Sequence, residues 1–171
     1  MSCVTQRECG GDHINYISNK AYSRSFFLRR LKDNGASQKA LKEIYILYIR
    51  SILEISAPLW TGALTKNKKL TNKLEKVQRF CCRIIRPDLS YTMAKLKLGL
   101  KSLSEHRLKI SVRCAKKMSK NPKFTKYFPT KTRTSARKPQ KYIEPKWKHN
   151  RYGFSTLPFF IRLLNKNSDK S

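Results

Sequence analysis

The chain has 171 residues, of which 39 are Lys or Arg and 10 are Asp or Glu, so its formal net charge is +29. Apolar residues make up 39 %, which is enough for a hydrophobic core. A folded protein with this charge repels itself unless counterions or a polyanion lie close to it. Nucleic acid is the commonest polyanion, because each Lys or Arg placed on a phosphate releases a condensed cation. The composition therefore favours nucleic-acid binding over a merely soluble basic surface.

The composition also bears on compartment and membrane. The five cysteines are an odd number and no apolar run of signal length opens the sequence, so we expect reduced thiols in an intracellular chain. No stretch approaches the ~18 consecutive apolar residues of a membrane span, and no membrane partner is expected. The basic clusters favour the nucleus without being a specific address.

The N-terminal part begins with a polar segment and continues with a helix. Residues 1–20 contain Gly10 and Gly11, and we predict an irregular lead-in there. A helical domain is predicted over residues 21–121, because apolar residues recur at helical spacing in most of that range. Its first helix is predicted to stop at Gly35, because glycine is typical of the C-terminal ends of helices.

Two longer helices are predicted next. Ser37 is a good N-cap for a helix that we expect Pro58 to end, and Trp60 is assigned a structural role in the turn that follows. The third helix covers about residues 66–86. Its apolar seam, Leu70 to Ile84, recurs at offsets of four and three, which is typical of packing on a partner helix.

The rest of the chain divides into helices and a basic arm. Ser90 is predicted to cap a short helix, and residues 102–105 (S-L-S-E) form a capping box that opens another. Residues 122–171 are predicted to form an extended basic arm, whose apolar segment 157–164 docks back as a short helix. The predicted fold class is all-α: about five helices in an irregular bundle, followed by this arm.

Basic residues on the third helix are the strongest functional signal. Several of them stand one residue before the apolar seam and therefore share a face about 100° away from it. The residues predicted to contact phosphate on this helix are Lys69, Lys73, Lys76, Arg79, Arg83 and Arg86. A solvated helix face is the alternative. The scarcity of acidic neighbours favours phosphate contact.

The basic arm supplies a second set of candidates. Arg133, Arg137 and Lys138 are predicted to contact nucleic acid as well. Aromatic residues are interleaved with the basic ones along the arm. They could stack on bases, as in single-strand binders, or anchor the arm on the core, and the sequence leaves both alternatives open.

Residues for catalysis or for a cofactor are not evident. Each Asp stands apart from other carboxylates, whereas a two-metal phosphoryl-transfer site needs converging carboxylates. Cys3, Cys9 and His13 lack the tight spacing and the fourth ligand of a zinc site. We therefore predict no catalytic residue, no metal and no cofactor.

Five passages of the chain carry a resemblance to a known family. They are residues 12–17 (DHINYI), 27–32 (FLRRLK), 49–60 (IRSILEISAPLW), 74–85 (LEKVQRFCCRII) and 90–107 (SYTMAKLKLGLKSLSEHR). In order and spacing they resemble the region after the polymerase palm in reverse transcriptases of non-LTR retrotransposons. The patterns of that family include F-L-R-x-L-K, I-R-S-V-L-E-Y-x-x-P-V-W and L-E-x-V-Q-R-x-x-x-R-I-I.

The resemblance spans about residues 12–164 and implies a role. The chain, with its helical domain of residues 21–121, is similar to the thumb of an RNA-directed DNA polymerase. That thumb holds the RNA template and primer duplex by the backbone, so the resemblance implies a thumb-like domain here. Ile55 stands where the family often has Tyr. The palm aspartates and the endonuclease domain of the family are absent from this sequence, so the resemblance implies a non-catalytic, truncated region of the polymerase.

A second hypothesis belongs to a different class. The Leu70–Ile84 seam could pair with a helical protein partner, which would make the chain a protein–protein interaction module. The two hypotheses differ in their salt dependence, because phosphate binding weakens steeply with salt and apolar packing does not.

Overall fold

The structure is a computed structural model that describes residues 6–131, 141–148 and 150–168. The chain is all-α, as predicted. Its helices are α1 (Gln6–Asp33), α2 (Gln38–Ile44), α3 (Ser51–Leu53), α4 (Ala57–Leu64), α5 (Lys68–Ile85), α6 (Tyr91–Leu98), α7 (Leu103–Lys120), α8 (Asn150–Gly153) and α9 (Thr156–Ser168). A π-helical segment, Tyr45–Arg50, joins α2 to α3, and a 3-10 turn, Thr125–Tyr127, follows α7.

The chain divides into two compact units. Unit 1 comprises Met1–Ile55 and Lys66–His106, and unit 2 comprises Ser56–Thr65 and Arg107–Ser171. This division differs from the predicted boundary at residue 121. Helix α4 and the larger part of α7 group with the C-terminal residues, because their apolar side chains pack there.

Unit 1 is built around the packing of α1 on α5. The segments α2, Tyr45–Arg50 and α3 pack on α1, and α6 packs on α5. The prediction of an irregular lead-in was wrong, since α1 already begins at Gln6. Ile14 and Ile17 are fully buried and extend the apolar stripe of α1 toward its N-terminus. Burying two such side chains gains ~3–6 kcal/mol, which outweighs the ~1 kcal/mol that each helical glycine costs.

Local signals at the helix ends account for much of unit 1. The Ser37 side chain accepts a hydrogen bond from Ala40 N at the start of α2. The predicted capping box is present, with Glu105 N donating to Ser102 Oγ and Ser102 N donating to the Glu105 carboxylate. Gly35 and Gly99 both adopt positive φ, at 77° and 61°, where they end α1 and α6. Left-handed backbone of this kind favours glycine.

Pro58 has the opposite role from the predicted one. The helical run from Gln38 ends at Leu53, and Pro58 stands in the first turn of α4, where its missing N–H is not needed. Trp60 therefore lies within a helix and not in a turn.

Unit 2 has an apolar core around α9, which packs on α4. The predicted terminal helix is confirmed, and it is longer than residues 157–164. The buried residues of this core are Ala115, Phe128, Phe159, Phe160, Ile161, Leu163 and Leu164. Gly62 of α4 provides the close approach, because a Cβ built there would lie 2.6 Å from the Phe154 carbonyl oxygen.

Two described segments of the arm, residues 129–131 and 141–143, are held in unit 2 by hydrogen bonds. Lys131 N donates to Lys141 O and Ile143 N donates to Pro129 O, so residues 129–131 and 141–143 run side by side. The Asn165 side chain accepts from Tyr142 N and donates to Tyr142 O. The predicted extended arm is thus fixed to α9 at Tyr142.

Candidate nucleic-acid interface

Helix α5 places basic side chains on a surface of unit 1. Asn67 caps it by accepting from Leu70 N, and its inner face, from Leu74 to Ile85, is buried. Residues of an α-helix are rotated by about 100° from one to the next, so positions on the far side point to solvent. Four predicted phosphate contacts are exposed there, and together they form what we call the α5 ridge: Lys69, Lys76, Arg79 and Arg83.

Two other predicted contacts do not belong to the ridge. Lys73 is half-buried, and its ammonium donates to the Asn15 side chain of α1. Arg86 is half-buried as well. It pairs with Asp88 at 3.2 Å and donates to the Gln38 side chain. Both residues therefore contribute to packing within unit 1 more than to its exposed charge.

The charge of the ridge is not compensated by neighbouring carboxylates. In the described part of the chain, the ion pairs are Arg50–Glu54, Arg86–Asp88 and His106–Glu54, and no ridge residue takes part. Arg79 lies over the ring of Tyr91, 5.1 Å from its centroid, which orients the guanidinium without neutralising it.

The single carboxylate of α5, that of Glu75, is directed into unit 1. It accepts from the Tyr91 hydroxyl and, at 3.2 Å, from Leu103 N at the start of α7. A carboxylate is stabilised at a helix N-terminus by unpaired backbone N–H groups and by the helix dipole. Burial and the hydrogen bond to Glu75 raise the pKa of the Tyr91 phenol.

Buried polar contacts extend from Glu75 across the core of unit 1. The Tyr45 hydroxyl donates to Gln78 Oε1 at 2.9 Å, and Gln78 Nε2 donates to Tyr91 and to Lys101 O. Gln78 is fully buried, so this arrangement satisfies its amide. Burial raises the pKa of Tyr45 well above its usual value.

Glu54 forms a second inward carboxylate site. It accepts from Arg50 Nε at 3.1 Å and lies 2.8 Å from His106 Nδ1. The side chains of Arg50 and Glu54 are 8 % and 9 % exposed, so the pair is internal. The carboxylates of Glu54 and Glu75 therefore make contacts within unit 1, while the ridge lysines face solvent.

A basic face on α7 was missed in the sequence analysis. Lys109, Arg113, Lys116 and Lys120 are exposed in unit 2 and recur at offsets of four, three and four. The same spacing rule singled out the basic face of the third helix, so the signal was present in the sequence. The apolar residues Val112 and Met118 pack on the core of unit 2, which leaves the basic face outside.

The predicted arm contacts and Trp60 have different outcomes. Arg133, Arg137 and Lys138 lie outside the described residues. Trp60 is half-buried in α4, and the Arg107 guanidinium lies 5.5 Å from its ring centroid, in accord with a structural role.

The sequence left two alternatives open for the arm aromatics, which were stacking on bases and anchoring the arm on the core. Phe128 is buried and Tyr142 packs on the core of unit 2, so these two are anchors. Phe124, Tyr127 and Tyr152 are exposed. For these three, stacking on bases stays a prediction.

The apolar seam of α5 is occupied within unit 1. Leu74, Val77 and Cys81 are fully buried, and α1 packs on this helix. A helical protein partner on the Leu70–Ile84 seam would have to compete with the chain's own helices.

The described ranges contain neither a cluster of metal-ligating side chains nor a membrane-spanning helix. There, no three His, Cys, Asp or Glu side chains come together as a metal site would require. No helix in those ranges is both long and apolar enough to cross a bilayer. Burial raises the pKa of the Cys81 thiol to about 12 and that of Cys82 to about 11. A thiol with so high a pKa is a poor nucleophile near neutral pH.

The comparisons with known proteins give no match. No protein-family description, no curated protein and no solved structure is similar to this chain.

Proposed function

We propose that this chain is a non-catalytic nucleic-acid-binding module that contacts the backbone of an RNA or RNA–DNA duplex. The α5 ridge carries the proposal. It presents exposed cations along one helix face, without a carboxylate in ion-pairing range among the described residues. Such a row contacts phosphates and has little sequence preference.

The resemblance to the thumb of non-LTR retroelement reverse transcriptases supports the same proposal. Polar residues from its motifs, among them Glu54, Glu75, Gln78 and Tyr91, make the internal hydrogen bonds of unit 1. The motif residues thus act in holding the helices together, and the helices present the cations. On this proposal the chain corresponds to the thumb-like, non-catalytic part of an RNA-directed DNA polymerase.

The test is the salt dependence of binding to a labelled RNA–DNA hybrid. The variant Lys69→Gln, Lys76→Gln, Arg83→Gln removes three exposed ridge charges. Each lost phosphate contact should flatten the slope of log affinity against log salt by about 0.9. The control variant Lys39→Gln, Lys97→Gln, Lys101→Gln removes the same charge from exposed positions of unit 1 outside the ridge.

We expect the ridge variant to flatten the slope clearly more than the control. Circular dichroism should show equal helicity in both, since all six side chains are exposed. Equal slopes for the two variants would show that net charge alone attracts the hybrid, and the ridge would then have no special role. A wild-type chain that fails to bind at low salt would end the proposal.

A further inference from the structure

Helix α1 carries an unusual number of exposed aromatic side chains. Its buried stripe runs through Ile14, Ile17 and Leu28, and the opposite side holds Tyr16, Phe26 and Phe27. These three are 61 %, 63 % and 50 % exposed. Exposed rings contribute little to folding because they bury little area, and a group of them on one helix commonly marks an interaction site.

Two of these three rings have a cation beside them. Lys20 Nζ lies 5.5 Å from the Tyr16 ring centroid, and the Arg30 guanidinium lies 5.6 Å from that of Phe26. Between Asp12 and Asp33 the helix contains no carboxylate. The surface therefore differs from an apolar protein-docking face, which is depleted of charge at its centre.

A neighbouring segment adds a further aromatic–cation group. Tyr48, from the π-helical segment, has its ring centroid 5.8 Å from that of Phe27. The Arg24 guanidinium lies over the Tyr48 ring at 4.2 Å. Arginine in this position stacks on the ring and keeps its charge available to a phosphate.

We infer that this surface of unit 1 is a stacking platform for unpaired nucleotides. Each nucleotide of a single strand offers a flat base and a phosphate, which match an exposed ring and its neighbouring cation. A base within a duplex offers no free face, so the platform is specific for unpaired residues. The platform is distinct from the α5 ridge and rests on the proposed function only in that both bind nucleic acid.

Two of the three platform rings of α1 lie on a different side of the helix from α5. Tyr22 and Arg29 face α5, where the Tyr22 ring and the Arg29 guanidinium contact Phe80. At 100° per residue, Tyr16 and Phe27 are rotated from Tyr22 by about 120–140° around the helix, and Phe26, rotated by about 40°, lies at the edge of the platform nearest α5. Single-strand binding and duplex binding can therefore be altered separately by substitution.

The experiment compares three labelled probes by fluorescence anisotropy. They are an oligoadenylate RNA of about 12 nucleotides, within the range bound by single-strand domains, an abasic backbone of the same length and charge, and an RNA–DNA hybrid. The test variant is Tyr16→Ala, Phe26→Ala, Phe27→Ala. The matched control, Leu59→Ala, Met93→Ala, Leu96→Ala, removes exposed apolar side chains outside α1.

We expect the wild type to bind oligoadenylate at least tenfold more tightly than the abasic backbone. The test variant should lose that preference, and the control should keep it. Base stacking on an aromatic residue is worth about 1–3 kcal/mol by alanine substitution, or roughly 5- to 150-fold per base. Affinity of the test variant for the hybrid should stay within about twofold of the wild type, because the α5 ridge is intact.

Two results would overturn the platform. One is equal wild-type affinity for oligoadenylate and the abasic backbone, which would show that charge alone binds the strand. The other is a test variant that loses affinity for all three probes alike, or that keeps its preference for bases. Binding to the hybrid reports on the proposed function separately, so a failed platform leaves the ridge proposal standing.

Discussion

The two units are both strongly basic outside but differ inside. The interior of unit 1 contains buried polar groups, with Gln78 and Glu75 making hydrogen bonds to Tyr45, Tyr91 and the start of α7. The interior of unit 2 centres on an apolar cluster along α9, and its buried polar side chains are Thr61, Arg107, Ser111 and Asn165, the last of which holds the backbone of the arm. The difference lies in where each unit places its carboxylates.

Unit 1 directs two of its carboxylates, those of Glu54 and Glu75, into internal contacts, and the exposed acidic residues among its described side chains are Asp12, Asp33, Glu43, Asp88 and Glu105. In the described residues of unit 2, Glu144 is the only acidic side chain, so its exterior is basic by composition. The exteriors of both units are basic because Lys and Arg outnumber Asp and Glu in each. The units differ in that carboxylates take part in the internal contacts of unit 1.

The largest expected loss of stability comes from the apolar core of unit 2. Phe160 is 1 % exposed, and Phe160→Ala should lower the free energy of unfolding by about 3–5 kcal/mol because it leaves a cavity. Both tryptophans of the chain, Trp60 and Trp147, lie in unit 2, so urea unfolding followed by tryptophan fluorescence reports on it. The control Phe124→Ala, at an exposed ring, should cost less than about 1 kcal/mol. A similar loss in both variants would contradict this core.

A smaller loss is expected at the close approach of α4 to α9. The Cβ of Gly62→Ala would lie 2.6 Å from Phe154 O and 3.0 Å from the Phe159 side chain, so the backbone must shift. Overpacking of this kind costs about 1–3 kcal/mol. Gly11→Ala meets nothing within 4 Å, and in a helix it should stabilise by about 0.5–1 kcal/mol. Thermal unfolding of the two variants should therefore shift in opposite directions.

Tyrosine-to-phenylalanine substitutions compare the contribution of buried hydrogen bonds to stability in the two units. Tyr45→Phe removes the donor to Gln78 Oε1 and leaves a buried acceptor unpaired, which should cost about 1–3 kcal/mol. In unit 2, Tyr142→Phe removes a hydroxyl that makes no hydrogen bond to a described residue, and it should change stability by less than about 0.5 kcal/mol. Equal losses in chemical denaturation would show that the interiors do not differ as described.

Local signals made the helices of this chain predictable. Apolar spacing and the residues Ser37, Gly35, Gly99 and Ser102 act within one or two turns of the backbone, so the sequence alone locates them. The start of α1 was missed because Gly10 and Gly11 weaken helix propensity, and the compensating burial of Ile14 depends on packing against other helices. Pro58 was misplaced for a related reason, since proline both ends helices and begins them.

The candidate site was predictable only in part. Helical spacing identified the face that holds Lys69, Lys76 and Arg83. It could not show that Lys73 reaches Asn15, because that contact joins residues 58 positions apart. The aromatic platform on α1 was not foreseen, since Phe26 and Phe27 fit a buried helix stripe equally well until the partner helices are known.

The smallest effect concerns the buried thiols of unit 1 at alkaline pH. The pKa values of Cys81 and Cys82, about 12 and 11, are raised above the ordinary value of 9.0 by burial. Above pH 9 the unfolded chain therefore loses these protons before the folded chain does, so stability falls as pH rises and the loss is complete near the folded values. At pH 10 it should reach about 1 kcal/mol per thiol. Urea unfolding at pH 8 and pH 10 measures this fall in the free energy of unfolding. The double variant Cys81→Ala, Cys82→Ala should show a smaller fall between the two pH values, whatever its stability at pH 8. An unchanged decrease would assign the effect to other groups, of which Tyr45 and Tyr91, whose pKa values are also raised, are the candidates.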